Sequence, residues 1–205
     1  MKPIVFGGKT ISPIDINDST QTLPGWAQTF LANNSLSGVH FKPAIYLLNN
    51  TVVIAFPGTV WFSENTGADL EVGLTEVGLT TAIPGDYTLA ANLVAAAKAA
   101  GNNVVATGFS LGGGMAAYAA AENDVVGITF DPAPVPARTP VNANGNSNIV
   151  NFIYTSGAVD FGWTTGQRVV FGAQTVVAAL RSITGVYEYN HGVQPFIDID
   201  NKLSN

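Results

Sequence analysis

The chain has 205 residues, no cysteine and a formal net charge of −6, with eight Lys and Arg against fourteen Asp and Glu. This length suits one domain with a substantial core, the lack of cysteine excludes disulfides and thiolate metal sites, and scarce cations argue against nucleic-acid binding. No stretch reaches the ~20 apolar residues of a membrane span, and the first apolar run is too short for a signal peptide. We therefore expect one soluble domain over residues 1–205, cytoplasmic or exported without a cleaved leader.

The N-terminal part of the chain predicts one short helix and a pair of strands. Residues 23–36 place Trp26, Phe30 and Leu31 at roughly helical spacing on one face. Residues 41–48 and 51–56 read as two strands around Asn49-Asn50, a pair of residues that suits a tight turn.

The second of these strands ends at Pro57-Gly58, and Thr59 follows at the carboxyl end of the predicted sheet. There Thr59 can direct both its N–H and its hydroxyl toward a reaction site, although a plain Pro-Gly turn explains the same residues. Residues 61–86 contain the tandem repeat EVGLT-EVGLT and lack strong periodicity. Two interpretations stay open for them, a flap over an active site and a surface loop.

A helix is predicted over residues 86–100, with Asp86 as its N-cap and Gly101 at its end. A β-branched strand over residues 104–107 comes next. It leads into Gly108-Phe109-Ser110-Leu111-Gly112, which matches the pattern G-x-S-x-G. In that pattern a serine sits on a sharp turn between a strand and a helix, with its Oγ exposed above the sheet. Free N–H groups and the positive end of the helix dipole favour an oxyanion there.

The remaining elements continue the alternation of strand and helix. Residues 125–130 and 149–154 read as buried parallel strands, and residues 167–180 as an amphipathic helix. The fold class predicted is α/β, with a mostly parallel central sheet flanked by helices in a compact α/β-hydrolase arrangement.

A serine nucleophile needs a base and an orienting carboxylate. The chain has two histidines, and His191 is the one that follows the serine, in the chain order Ser, acid, His expected for this architecture. Asp160 and Asp131 both come after predicted strands beyond the nucleophile. The sequence favours Asp160 because it follows the second such strand, and Asp131 remains the alternative acid.

Two segments together resemble the class 3 lipase family of α/β-hydrolases. Residues 55–59, AFPGT, are similar to that family's A-F-R-G-T, and residues 107–113, TGFSLGG, to its T-G-H-S-L-G-G. The likeness runs from about residue 52 to residue 118. Pro57 stands where the family usually has Arg, and Phe109 where it has His beside the nucleophile.

The resemblance implies that Ser110 is the nucleophile, that Thr59 and Leu111 form the oxyanion hole, and that Asp160 and His191 complete the triad. It implies a carboxylic ester hydrolase that acts on acyl esters of lipids through an acyl-enzyme, without metal or cofactor. Low charge is compatible with peripheral contact with a membrane surface. Three alternatives stay open: a short-chain esterase, a phospholipase acting on membranes as a bacterial antagonistic effector, and a non-catalytic hydrolase-fold binding module.

Overall fold

The structure is a computed structural model that describes residues 3–6, 8–36, 41–58, 83–136, 138–154 and 165–171. Within these ranges the chain forms the helices α1 (Gly25–Asn33), α2 (Gly85–Ala99) and α3 (Leu111–Asn123). The strands are β1 (Ile4–Phe6), β2 (Lys9–Ile11), β3 (Ile14–Asp15), β4 (Ala44–Leu48), β5 (Thr51–Phe56), β6 (Asn103–Phe109), β7 (Val126–Phe130), β8 (Ile149–Tyr154) and β9 (Gln167–Phe171).

In the described part of the chain, the central sheet contains seven strands in the order in which they occur in the sequence, β3 to β9. The pairs β3–β4 and β4–β5 are antiparallel, and every pair from β5 to β9 is parallel. Strands β1 and β2 form a separate antiparallel hairpin. The prediction of an α/β architecture with a mostly parallel sheet is therefore confirmed.

The antiparallel pairing of β4 with β5 follows from one turn. Leu48 pairs with Thr51 across the two-residue connection, and Asn49 adopts a positive φ of 54°. Asparagine tolerates this left-handed region better than most residues, which is why Asn-rich pairs favour tight hairpins. The predicted hairpin at Asn49-Asn50 is confirmed.

Helices α2 and α3 pack against each other and against the same face of the sheet. Alternate residues of β5 and β6 face them, among them Ile54 and Ala106, which are fully buried. Small residues allow the close approach: a Cβ added to Gly127 of β7 would lie 3.0 Å from the Cβ of Ala120 in α3. Each large apolar side chain buried in this core contributes roughly 1.5–3 kcal/mol.

Helix α1 is shorter than the predicted 23–36 but has the predicted buried face. Phe30 is buried, and Trp26 and Leu31 pack against the core beside it. Pro24 precedes the first helical residue, where its fixed φ and missing N–H are tolerated.

Helix α2 begins one residue earlier than predicted, and its N-cap assignment was wrong. Pro84 is the N-cap residue. Asp86 lies inside the first turn, where its carboxylate interacts favourably with the positive end of the helix dipole. At the other end Gly101 has φ 82° and its N–H donates to the Lys98 carbonyl at 2.9 Å. The predicted glycine stop is therefore confirmed.

The predicted helix over residues 167–180 is wrong for its first five residues, which form β9. The strand pairs in parallel with β8, and the Asn151 side chain of β8 fixes its start by donating to the carbonyls of Thr165 and Gln167, at 2.7 and 3.0 Å. Neighbouring β-branched residues, Val169 and Val170, suit a strand as well as one face of a helix. Residues 172–180 lie outside the described residues.

Candidate active site

The turn that carries the candidate nucleophile joins β6 to α3. The strand runs two residues further than predicted, to Phe109, and α3 begins at Leu111. Ser110 between them adopts φ 55° and ψ −126°. A residue other than glycine with these backbone angles is strained by roughly 1–3 kcal/mol. Such strain persists only where the surrounding structure imposes it. The predicted sharp turn from strand to helix is present.

Two glycines on either side of Ser110 make this turn sterically feasible. A Cβ on Gly108 would collide with the backbone of Gly112, one turn ahead. A Cβ on Gly112 would collide with the Phe56 carbonyl and lie 2.5 Å from the Pro57 oxygen. Only glycine allows the start of α3 to approach the ends of β5 and β6 this closely.

Backbone hydrogen bonds hold the serine in place from both sides. The Ser110 N–H donates to the Phe130 carbonyl at 3.1 Å, which ties the turn to the end of β7. The Ser110 carbonyl accepts from the N–H of Gly114 at 3.0 Å and of Ala133 at 2.8 Å. Ser110 keeps 9% of its surface exposed. The turn is therefore a rigid support for a single side chain at the carboxyl edge of the sheet, where sites of open α/β sheets lie.

The end of β5 reaches the same place. A Cβ on Gly58 would lie 3.4 Å from the Ser110 Cβ and 3.0 Å from the Phe109 carbonyl oxygen. The segment Pro57-Gly58 is thus in contact with the serine turn. Thr59, the predicted oxyanion donor, is the next residue in the chain and lies outside the described residues.

The start of α3 has the electrostatics that an oxyanion requires. Leu111 is the first helical residue, so the helix itself offers no partner to its N–H. The first turn of α3, all of it described, contains no acidic residue that would offset the positive end of the dipole. The predicted role of the Leu111 N–H is compatible with this position.

The structure does not place the remaining predicted site residues. Asp160, His191 and the segment 61–82 lie outside the described residues, so the proposed triad is not brought together here. Asp131, the alternative acid, is described. It follows β7 directly, has φ 39° and keeps 4% of its surface exposed.

Tyr87 is a residue near the turn that the sequence did not single out. It is 1% exposed in α2, and its hydroxyl donates to the Pro134 carbonyl at 3.1 Å. A Cβ on Gly114 would collide with the same hydroxyl. Tyr87 thereby links α2 to α3 and to the segment after β7. A buried tyrosine in a first turn gives no sequence signal of such a contact.

Comparison with models of protein families matches residues 13–159, well over half of the chain, to the Tle-like phospholipase domain, a phospholipase-like family. A search of curated proteins finds no match. No helix in the described ranges is long and apolar enough to cross a membrane. The match supports a phospholipase or lipase-like family and does not single out class 3 lipases. With its α/β sheet and its serine turn, the chain belongs to the family of the Tle-like phospholipase domain.

Proposed function

We propose that the protein hydrolyses the acyl esters of phospholipids with Ser110 as its nucleophile. The observation that carries the proposal is the Ser110 turn, a strained serine between a parallel strand and the start of a helix. The family match supports a lipid ester as the substrate. The likeness of residues 55–59 and 107–113 to class 3 lipase motifs supports the same reaction and an α/β-hydrolase fold.

In the proposed mechanism, His191 accepts the Ser110 hydroxyl proton while Oγ attacks the ester carbonyl carbon. The tetrahedral intermediate collapses, the bond to the leaving alcohol breaks, and His191 returns the proton to that alcohol. Water, deprotonated by the same histidine, then attacks the acyl carbon, the bond to Ser110 Oγ breaks, and His191 returns the proton to Oγ as the fatty acid is released. A carboxylate, Asp160 or Asp131, orients the histidine. Every proton is accounted for without metal or cofactor.

The oxyanion of the intermediate is proposed to bind between the N–H of Leu111 and that of Thr59. The start of α3 supports the first donor, and the contact of Gly58 with Ser110 supports a position of Thr59 nearby. Loss of one such donor typically reduces turnover by ~10²–10³.

The test is release of fatty acid from phospholipid vesicles by the wild type and by Ser110→Ala. We expect release by the wild type that falls by at least ~10³-fold in the variant, since the nucleophile is removed, with an unchanged melting temperature. A series of p-nitrophenyl esters from short to long acyl chains distinguishes a phospholipase from a short-chain esterase. Undiminished hydrolysis by Ser110→Ala would show that another group performs the reaction.

A second candidate role uses the same chemistry: a phospholipase that acts as an antagonistic effector on the membranes of other bacteria. The family match to a phospholipase domain supports it equally. Its test is growth of a bacterial host that directs the protein to its periplasm or keeps it in the cytoplasm. Growth arrest that Ser110→Ala abolishes would support the effector role, and unimpaired growth alongside active hydrolysis in vitro would contradict it.

A further inference from the structure

Asp131 lies directly beside the nucleophile turn. The residue before it, Phe130, accepts the Ser110 N–H at 3.1 Å, and Ala133, two residues after it, donates to the Ser110 carbonyl at 2.8 Å. These two hydrogen bonds flank Asp131 in the chain and fasten its segment to the backbone of Ser110. Asp131 therefore directly follows the strand next to the nucleophile strand, at the level of the serine.

The backbone of Asp131 is fixed in an unfavourable conformation. Its φ of 39° lies in the left-handed region, and its N–H donates to the Phe152 carbonyl of β8 at 2.8 Å. Pro132 follows and packs on α3, since a Cβ on Gly113 would lie 2.8 Å from its Cα. The hydroxyl of Tyr87 holds the segment two residues further on, at Pro134. Contacts with β8, with α3 and with Tyr87 thus hold the backbone of Asp131 in its strained conformation. Strain that the surroundings maintain in this way points to a functional requirement.

The side chain of Asp131 also lies where a charged carboxylate is energetically unfavourable. The residue is 4% exposed, and burying an ionised carboxylate costs several kcal/mol unless polar groups compensate. The turn itself does not require an acid at this position, because Asn or Gly adopts the same φ without burying a charge. Buried carboxylates beside a nucleophile are typical of catalytic sites.

We infer that Asp131 is the carboxylate that orients the catalytic base, in place of Asp160. The inference rests on the proposed function. As a positioning residue, Asp131 accepts the Nδ1–H of the base, assigned to His191, and so presents Nε2 to the Ser110 hydroxyl. Asp131 also stabilises the imidazolium that forms when the base accepts the Ser110 hydroxyl proton. The Asp131 carboxylate itself stays ionised throughout. The chain order Ser, acid, His is preserved.

The test compares Asp131→Asn with Asp160→Asn for phospholipid hydrolysis across pH. Asn suits φ 39° and keeps the shape of the side chain, so the backbone is retained. We expect Asp131→Asn to lower kcat on the order of 10³–10⁴-fold with KM unchanged. Its residual activity should persist to lower pH, because the imidazolium would lose the negative charge that stabilises it and the base would stay neutral in more acidic solution. A structural role alone would not move the acidic limb of the profile.

The matched control is Asp124→Asn. Asp124 also has a positive φ, 48°, but is exposed at the far end of α3. We expect it to retain wild-type hydrolysis. If Asp131→Asn does not fold, Asp131→Gly is the second variant. It also removes the carboxylate, and glycine tolerates the positive φ at this position.

A larger loss in Asp160→Asn than in Asp131→Asn would overturn the inference. The inference would also be overturned if the activity lost in Asp131→Asn equalled the fraction of protein that fails to fold and the pH profile were unchanged. Failure of the proposed function has a different signature, namely wild-type hydrolysis that is absent or survives Ser110→Ala.

Discussion

Substituting Gly112 by alanine tests whether the close approach of α3 to β5 positions the nucleophile. The added Cβ would collide with the Phe56 carbonyl, lie 2.6 Å from the Phe56 carbonyl carbon and 2.5 Å from the Pro57 oxygen. All three are backbone atoms of the last residue of β5 and the residue after it, and backbone atoms cannot rotate away as a side chain can. The start of α3 must therefore move, and Ser110 moves with it.

The expected cost follows from this displacement. Overpacking of a core by one methyl group typically destabilises by about 1–3 kcal/mol. For a chain of this length each kcal/mol lowers the melting temperature by about 2–4 °C, so we expect a decrease of roughly 2–12 °C. A displacement on the order of 1 Å at a catalytic group costs roughly 10²-fold in rate, which makes activity the more sensitive readout.

The assay is thermal unfolding together with ester hydrolysis, with Gly85→Ala as the matched control. Gly85 is the first residue of α2, and among the described residues no atom lies within 4 Å of a Cβ added there. We expect the control to keep its activity and to change stability by no more than about 1 kcal/mol, in the stabilising direction. A melting temperature and a hydrolysis rate in Gly112→Ala equal to those of the wild type would refute the reasoning. They would show that the start of α3 accommodates the extra methyl group without moving.

Three further predictions concern the support of the site. Asn151→Ala should destabilise by about 2–4 kcal/mol in urea unfolding and abolish exchange protection in β9, because two carbonyls and the Thr129 hydroxyl lose their partner. Tyr87→Phe should cost about 1–2 kcal/mol in the same assay, because the Pro134 carbonyl loses its donor. Burial, followed by the hydrogen bond and charge of Glu122, raises the pKa of Tyr118 above its ordinary 10.0. Its neutral form is thus favoured in the fold, so the free energy of unfolding should decrease above about pH 10, and less so in Tyr118→Phe.

Local patterns were enough to predict the serine turn and the hairpin. Gly108, Gly112 and the β-branched run before them specify a strand, a turn and a helix within a dozen residues, and the structure has that order. Asn49-Asn50 likewise predicts its turn from the two residues themselves. Such features depend on the conformational preferences of a few adjacent residues, which are visible in any single sequence.

Features that depend on distant partners were not predictable. Strand β9 forms because β8 lies alongside and Asn151 fixes its first carbonyls, and its valines alone leave helix and strand equally open. The surroundings of Asp131 depend on hydrogen bonds between Ser110 and two residues that lie twenty or more positions away, Phe130 and Ala133. The sequence favours Asp160 because it follows the second strand beyond the nucleophile, and it contains no signal of the hydrogen bonds around Asp131.

The measurement that tests the central claim most directly is the location of a covalent adduct. The protein is treated with a serine-directed phosphonate, digested and analysed by mass spectrometry, with Ser110→Ala as the control. We predict one adduct, on Ser110, that forms in step with the loss of phospholipid hydrolysis and is absent from the variant. An adduct on another residue, or no adduct while hydrolysis is retained, would contradict the assignment of Ser110 as the nucleophile.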